Sequence, residues 1–272
     1  MTSKKLKIIA IGAHPDDCEY CFGGTAAKYV QLGHEVCFVS VTNGNAGHQT
    51  LGRQELAAIR ADETKAVSAF SGVSYIVLDN DDGSLTADLE TRDQLIAVIR
   101  RVNPDLIFTH RTNDYHTDHR HTGLLVQDAS FLLGVPLVCP TVPSMMHVPV
   151  ILSFFDTFKK PVAFQADIAV AIDDAIDMKV RMMDCHKSQF YDWLPWIERE
   201  SEQLPATEDE RYRWLDSKMK KKDAVVADQC REKLISRYGR TAGEQVQVAE
   251  AFEVSEYGKS ITADETATYF PF

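Results

Sequence analysis

Three side chains that can bind a metal stand close together near the start of the chain, at His14, Asp16 and Asp17. They follow an apolar run over residues 6–12, which predicts a buried strand. A segment with helical spacing comes after them, at about 19–32. Because ligands of open α/β sheets bind where strands end and helices begin, this arrangement favours a metal centre. The plainer alternative is a helix cap provided by Asp16 or Asp17.

A second group of ionisable side chains follows the predicted strand at 106–109. Four of the nine histidines of the chain and two aspartates lie within 110–121: His110, Asp114, His116, Asp118, His119 and His121. This group also stands at the carboxyl end of a strand, so it can face the first group across one crevice. Burying so many ionisable groups is costly unless they are paired or bind a metal. The two groups together therefore predict one metal site.

The residue types favour a catalytic zinc ion. Zinc binds imidazole nitrogen and carboxylate oxygen, and a catalytic zinc needs only three protein ligands because water takes the fourth position. We assign the three ligands to His14, Asp17 and His119. A site of this composition can also hold Fe²⁺ or another divalent ion.

The remaining polar residues of the two groups are candidates for proton transfer. Asp16, beside a predicted ligand, is the candidate general base for a water that the metal activates. His116, three residues before His119, is expected to act as a protonated electrophile or general acid. Asp118 is the expected partner that holds the tautomer of His116 and raises its pKa.

Strand and helix patterns alternate over the first half of the chain. Strands are predicted at 6–12, 36–41, 75–78 and 106–109, and helices at 19–32, 53–70, 89–102 and 119–133. Parallel strands are joined by crossing helices, so this order indicates an α/β fold. We expect a Rossmann-like three-layer sandwich with a mainly parallel central sheet and helices on both faces.

The second half of the chain has a less regular pattern. Further strands are predicted at 137–138, 149–154 and 247–254, and helices at 173–185 and 217–238. We expect one domain over residues 1–272, with a core at about 6–190 and a helical, aromatic extension at 191–272 packed on that core. The tryptophans of this extension suit a pocket wall or a subunit interface, where aromatic residues are enriched.

The composition limits the classes of partner. The 272 residues carry a formal net charge of −11, which argues against nucleic acid or an anionic membrane as the main partner. No apolar run approaches the roughly 20 residues that a membrane-spanning helix needs. Six scattered cysteines fit reduced thiols and a cytoplasmic location. Cys18 and Cys21 leave a redox pair open as an alternative.

Several of these motifs, taken in order, resemble one family. The segments 13–17, 23–25 and 116–119 look like the signatures of the PIG-L/LmbE-like zinc-dependent N-deacetylases, and further pieces are similar at 42–47, 60–63, 82–85, 179 and 186–189. The resemblance implies hydrolysis of an N-acetyl group, often on a glucosamine derivative. It implies the same zinc ligands, Asp16 as the base, and His116 as the group that stabilises the oxyanion or protonates the amine.

The resemblance also implies contacts that the residue pattern alone does not. Arg60 and Asp82 match family positions that contact the sugar. On the residue pattern alone, Arg60 would form an ion pair with Glu63 on the surface of a helix. Asp82 would be a turn residue. Members of the family are often trimers or hexamers, so a homo-oligomer acting on a small N-acetylated sugar or glycoside is expected.

Alternatives from other classes remain open on the sequence. His14, Asp16 and a distant histidine have the composition of a non-haem Fe(II) oxygenase site, although those enzymes resemble all-β jelly rolls. Gly23 and Gly24 could form a phosphate loop, but the dinucleotide-binding pattern is missing. A metal-binding relative without activity, or one acting on a non-sugar amide, is a further alternative. Acetate release without oxygen separates hydrolysis from oxygenation.

Overall fold

The computed structural model describes residues 4–272, in which strands and helices alternate as far as residue 132. The strands in chain order are β1 (Lys7–Gly12), β2 (Glu35–Ser40), β3 (Ser74–Val77), β4 (Leu106–Thr109), β5 (Val150–Phe154), β6 (Ile168–Ala171) and β7 (Ala249–Val254). The α-helices are α1 (Asp17–Gln31), α2 (Arg53–Ser71), α3 (Leu89–Val102), α4 (Thr117–Leu132), α5 (Ile176–Asp184), α6 (Leu194–Ile197), α7 (Glu208–Gln229), α8 (Arg231–Tyr238), α9 (Arg240–Gln245) and α10 (Ala263–Tyr269).

The seven strands of this part of the chain form one sheet in the order β3-β2-β1-β4-β5-β7-β6. The first five in that order run parallel to one another, whereas β7 is antiparallel to both β5 and β6. β1 lies near the centre, and Ile8, Ile9 and Ile11 are 0% exposed. A strand covered on both faces reads as a continuous apolar run, which is why the sequence shows no alternation there.

Successive side chains of β1 enter two different cores because they point to opposite faces of the sheet. Ile8 packs with residues of α1, α5 and α7 on one face. Ile9 packs with residues of α3 and α4 on the other face. The predicted α/β fold, a mainly parallel sheet between two helical layers, is confirmed.

The predicted strand at 137–138 is wrong. These residues lie in the turns between α4 and β5. The carbonyl groups around these residues bind a side chain and not a neighbouring strand. The buried Arg100 guanidinium donates hydrogen bonds to six of them: those of Leu132, Leu133, Val135, Val138, Cys139 and Val142. A segment whose carbonyls are satisfied by one side chain does not need to pair with a strand.

Two other boundaries in the second half differ from prediction. The helix predicted at 217–238 is two helices, α7 and α8, which meet at Cys230. α7 begins earlier, at Glu208, where the Thr207 hydroxyl accepts a hydrogen bond from the Glu210 amide at 3.4 Å. β6, only four residues long, was not expected from the sequence.

A buried charge cluster connects the two parts of the chain. Lys179 of α5 is 0% exposed, and its Nζ donates to Asp223 of α7 and Glu250 of β7, both at 2.8 Å. Glu250 also accepts the amide hydrogens of Gly24 and Thr25 in α1, at 3.0 and 2.8 Å. These contacts support the prediction that core and extension form one domain.

Replacing Lys179 by methionine tests that prediction. Two buried carboxylates would lose their cation, so the free energy of unfolding should fall by about 3–5 kcal/mol. Urea unfolding followed by far-UV circular dichroism reports the whole chain, whereas tryptophan fluorescence reports the extension, which contains Trp193, Trp196 and Trp214. Coincident transitions indicate one domain, and separated transitions would contradict it. Lys220→Met, which breaks an exposed ion pair in α7, should change stability by less than about 1 kcal/mol.

The thiols and helices bear on two further expectations. Over residues 4–272, no helix combines the length and the apolar character needed to cross a membrane. The six cysteines are free thiols. Burial raises the pKa of Cys18 well above its usual range and that of Cys21 to about 12. Because the reactive form is the thiolate, these shifts weigh against the redox alternative for the pair.

Candidate active site

The two groups of ionisable residues meet at one edge of the sheet. β1 and β4 are parallel neighbours with Ile11 opposite Thr109, so the loops that follow them leave the sheet side by side. The imidazole rings of His14 and His119 lie with their centroids 5.2 Å apart. The structure therefore brings both predicted histidine ligands to one place.

Asp17, the first residue of α1, lies between the imidazoles. Its carboxylate accepts the His14 amide hydrogen at 2.7 Å and lies 3.4 Å from His14 Nδ1. The other carboxylate oxygen is 3.4 Å from His119 Nε2. Burial raises the pKa of Asp17, but the imidazoles of His119 and His110 outweigh burial and hold the pKa well below its usual range. Asp17 is therefore an anion at neutral pH, as a metal ligand must be.

His14 presents a nitrogen that protein groups leave without a hydrogen bond. Its Nε2 is buried and unpartnered among residues 4–272, although carboxylate oxygens of Asp82 and Asp118 lie 3.1 and 3.4 Å away. A buried nitrogen without a partner is costly. A cation placed among this nitrogen and the carboxylates would satisfy it, so the residues present fit a metal ion.

Within residues 4–272, three overlapping sets of side chains have ligand atoms within 4.8 Å of one another. They are His14, His116 and His119; Asp17, His110 and His119; and His14, Asp82 and Asp118. The three predicted ligands are spread over these sets and not gathered in one of them. Imidazole nitrogen with carboxylate oxygen is one of the donor combinations found in catalytic zinc sites.

His119 is oriented by a carboxylate that the sequence analysis did not assign. Its Nδ1 lies 3.1 Å from Asp114 Oδ1, which leaves Nε2 directed at Asp17. Burial lowers the pKa of His119, but Asp17 and Asp114 raise it to about 9. His110 stacks on the His119 ring at 4.1 Å. Asp114 could have been found, because a histidine ligand usually uses its second nitrogen to bind a carboxylate or carbonyl group.

The Asp118 carboxylate does not form the expected hydrogen bond with His116, although its charge raises the pKa of His116 as expected. His116 is the N-cap of α4, and its Nδ1 accepts the Asp118 amide hydrogen at 3.2 Å, so the ring proton lies on Nε2. The Asp118 carboxylate instead accepts the Gly83 amide hydrogen at 2.7 Å and faces His14. Residues two apart at a helix start do not face each other, which explains the difference.

The surroundings of His116 favour its neutral form over the protonated form expected from the sequence. Burial lowers its pKa, and the neighbouring imidazoles of His14 and His119 lower it further. His116 is therefore neutral at pH 7, with an Nε2–H group that can donate a hydrogen bond. The role of His116 as an electrophilic group stays a prediction. In its neutral form the ring would act by donating a hydrogen bond.

Asp16 has the character of a base that works near neutral pH. Burial raises its pKa to about 6, even though the Arg60 guanidinium lowers it. Its Oδ2 accepts a hydrogen bond from Arg60 Nη2 at 2.9 Å. A general base is most effective when its pKa lies near the working pH.

Arg60 and Asp82 line the cleft, as their predicted substrate contacts require. Both side chains are nevertheless engaged by protein groups. Arg60 is 1% exposed and binds Asp16 and Glu63. Asp82 faces His14 and accepts the Ala46 amide hydrogen at 3.2 Å. The substrate contacts of these residues stay predictions.

A cleft of about 770 Å³ opens above the site. The core contributes His14, Asp16, Asp17, His116 and His119 to its lining. The extension contributes Trp193, Leu194, Trp214, Met219, Val225 and Val226. The extension therefore shapes the cleft, although it lies outside the segments that carry the motifs.

This geometry defines a class of protein: an α/β protein with a cluster of histidines and carboxylates that could hold a metal ion at the carboxyl ends of parallel strands. Residues 9–130 match the family described as PIG-L: GlcNAc-PI de-N-acetylase. The chain is 31% identical over 208 residues to the diacetylchitobiose deacetylase of Thermococcus kodakarensis, covering 70% of this chain and 74% of that protein. The chain belongs to the PIG-L family.

Two solved structures share the fold. The N,N'-diacetylchitobiose deacetylase of Pyrococcus horikoshii has a TM-score of 0.71 at 22% identity, covering 93% of this chain and 85% of that one. The 4-carboxy-2-hydroxymuconate hydratase of Pseudomonas putida has a TM-score of 0.73 at 19% identity, covering 94% and 98%. The predicted family, fold and enzyme class are confirmed. Because a hydratase has the same fold, fold alone does not define the reaction.

Proposed function

We propose that the protein is a metal-dependent N-deacetylase that hydrolyses the N-acetyl group of an amino-sugar derivative. The observation that supports this most is the position of Asp16. Its carboxylate, with a pKa of about 6, lies next to the His14, Asp17 and His119 cluster and lines the same cleft. This combination of base and metal site suits the attack of water on an amide.

The proposed metal is Zn²⁺, with Fe²⁺ or another divalent ion as alternatives, and the proposed ligands are His14, Asp17 and His119. When bound, such an ion would polarise the acyl oxygen and lower the pKa of a water molecule. Asp114 would hold the His119 ring in the orientation that directs Nε2 at the site.

The residues of the chain account for the proton movements. Asp16 takes a proton from the water whose oxygen attacks the acyl carbon. The neutral His116 donates its Nε2–H to the acyl oxygen as negative charge develops there. When the carbon–nitrogen bond breaks, the proton held by Asp16 passes to the leaving nitrogen. The products are acetate and a free amine.

The cleft supports a substrate larger than an acetamide. Its volume of about 770 Å³ is within the range for clefts that enclose drug-sized ligands, roughly 300–1,000 Å³. Trp193 stacks on Trp196 with ring centroids 5.4 Å apart, which fixes its ring at the cleft. Flat aromatic rings offer apolar area to the faces of sugar rings. Since a relative acts on diacetylchitobiose, an N-acetylated glycoside is the class to test first.

Replacing Trp193 by alanine should therefore weaken substrate binding more than it slows the reaction. We expect KM for an N-acetylated disaccharide to rise by a factor of about 3–10, which corresponds to the stacking energy of an aromatic ring, with kcat changed by less than about twofold. Steady-state kinetics measure both constants. Phe131→Ala, which removes an aromatic side chain that is 82% exposed on α4, should leave KM unchanged. An unchanged KM for Trp193→Ala would remove this ring from the binding site.

A panel of N-acetylated sugars tests the proposed function. The enzyme should release free amine and acetate with added Zn²⁺, without oxygen or an oxoacid, and a chelator should stop the release. Oxygen consumption would instead indicate the oxygenase alternative. Release from simple N-acyl amides, but not from sugars, would indicate a non-sugar substrate.

The proposal extends to the location and the assembly of the protein. The free cysteines agree with a reducing, cytoplasmic compartment. A homo-oligomer, a trimer or a hexamer, is the expected assembly, which light scattering of the purified protein would measure.

A further inference from the structure

The carboxylate of Asp16 is not held by its own turn. Asp16 is the N-cap residue of α1, but its side chain makes no capping hydrogen bond. Its φ of 136° is outside the range that residues other than glycine adopt easily. Such a conformation is strained and persists only where surrounding contacts impose it. Another part of the chain must therefore fix this carboxylate.

Arg60 of α2 provides that contact. Its Nη2 donates to Asp16 Oδ2 at 2.9 Å, and its Nη1 donates to Glu63 Oε2 at 2.9 Å. The guanidinium thus bridges two carboxylates. Gly44, in the loop after β2, packs against this guanidinium. A Cβ added at Gly44 would be 3.1 Å from Arg60 Nε and 2.9 Å from Pro15 Cδ. The loop after β2 therefore closes over both the guanidinium and the turn that contains Asp16.

Glu63 is in turn fixed by residues that follow α5. It accepts the Ser188 amide hydrogen at 2.7 Å and the Ser188 hydroxyl at 3.0 Å. His186 Nδ1 lies 3.8 Å from the same carboxylate, and its Nε2 lies 2.9 Å from Glu19 of α1. All these groups are buried. They connect α1, α2 and the segment after α5 behind the base.

We propose that Arg60 is a positioning residue for Asp16, and that Glu63 and Ser188 hold Arg60 in place. This inference rests on the proposed function insofar as Asp16 is the base. Arg60 lines the cleft, but both of its terminal nitrogens bind carboxylates and its side chain is 1% exposed, so its direct partners are protein groups. The bridge fixes Asp16 to within the tolerance that proton transfer needs, since misplacement by about 1 Å can cost 10²-fold in rate.

The experiment compares Arg60→Ala, Arg60→Lys and Glu63→Gln with the unchanged enzyme. We expect Arg60→Ala to lower kcat about 100-fold with KM within about twofold, and metal content by elemental analysis to stay unchanged. Lysine cannot bridge two carboxylates as a planar fork does, so Arg60→Lys should recover little. Added guanidinium, at concentrations that do not unfold the enzyme, should restore part of kcat in Arg60→Ala. Glu63→Gln should lower kcat about tenfold.

Lys65→Ala is the matched control, because Lys65 forms an exposed ion pair with Asp62 in the same helix and the same i,i+3 spacing. It should change neither constant. A rise in KM with kcat preserved in Arg60→Ala would overturn the proposal in favour of a substrate contact. Crystal structures decide the question without activity: Asp16 should leave its position in Arg60→Ala, and an unmoved carboxylate would also overturn the proposal. Absence of amine release by the unchanged enzyme would reject the proposed function alone.

Discussion

Replacing Asp16 by asparagine should lower kcat by a factor of about 100 or more while leaving the metal content unchanged. Asparagine keeps the shape of the side chain but cannot accept the proton of the attacking water, and removal of a general base typically costs 10²–10⁴-fold. Steady-state kinetics and elemental analysis of the same preparation measure the two quantities. Asp62→Asn, at an exposed carboxylate of α2, should change neither.

The pH dependence provides a second check on the same residue. A base works in its deprotonated form, so kcat/KM should fall as the pH decreases through the pKa of Asp16, about 6. This acidic limb should be absent from the residual activity of Asp16→Asn. Loss of metal with an unchanged residual rate would contradict the role of Asp16 as base and favour a role as ligand.

Replacing His119 by alanine should remove both metal and activity. His119 belongs to two of the three sets of candidate ligand atoms and faces the Asp17 carboxylate at 3.4 Å. Without this imidazole, a three-ligand site retains only two ligands, so the variant should lose its metal on dialysis and its turnover should fall to background. Elemental analysis after dialysis measures the metal.

A variant at His121 serves as the control for His119. His121 lies in the same helix, two residues further on, and stands outside the three sets of candidate ligands among residues 4–272. His121→Ala should retain the metal. A full complement of metal in His119→Ala would refute the ligand assignment, and the set of His14, Asp82 and Asp118 would then be the candidate to test.

The first half of the chain could be predicted well because its structure follows from local rules. Each strand up to β4 is an apolar run followed by an amphipathic helix, and parallel pairing of such units is nearly obligatory. The adjacency of the 13–16 and 110–116 loops follows, because both leave the same edge of the sheet. Helix α3 and strand β4 have the predicted bounds, 89–102 and 106–109.

The second half could not be predicted as well because its elements depend on distant partners. β6 has four residues and pairs with β7, which begins 78 positions after it in the numbering, at Ala249. The charges of Lys179, Asp223 and Glu250 are buried together, although each taken alone resembles a surface residue. No local sequence pattern predicts that these three charges are buried together.

Within the site, residue types were easier to assign than hydrogen-bond partners. The imidazoles and carboxylates were recognisable as a metal-binding set from their density. The hydrogen-bond partner of each imidazole or carboxylate depends on the direction of its side chain. His116 therefore binds the amide of Asp118 and not its carboxylate, whereas Asp16 binds Arg60, 44 positions away in the sequence. Sequence spacing carries no information about that second contact.

The position of β7 has a consequence for the synthesis of the protein on the ribosome. β7 lies between β5 and β6, yet it is synthesised after both of them, beginning at Ala249. Until it emerges, the growing polypeptide holds an open strand edge at β5, and such edges recruit other chains. Chains that have not yet reached β7 should therefore be the aggregation-prone forms, and molecular chaperones should engage the protein before β7 has been synthesised.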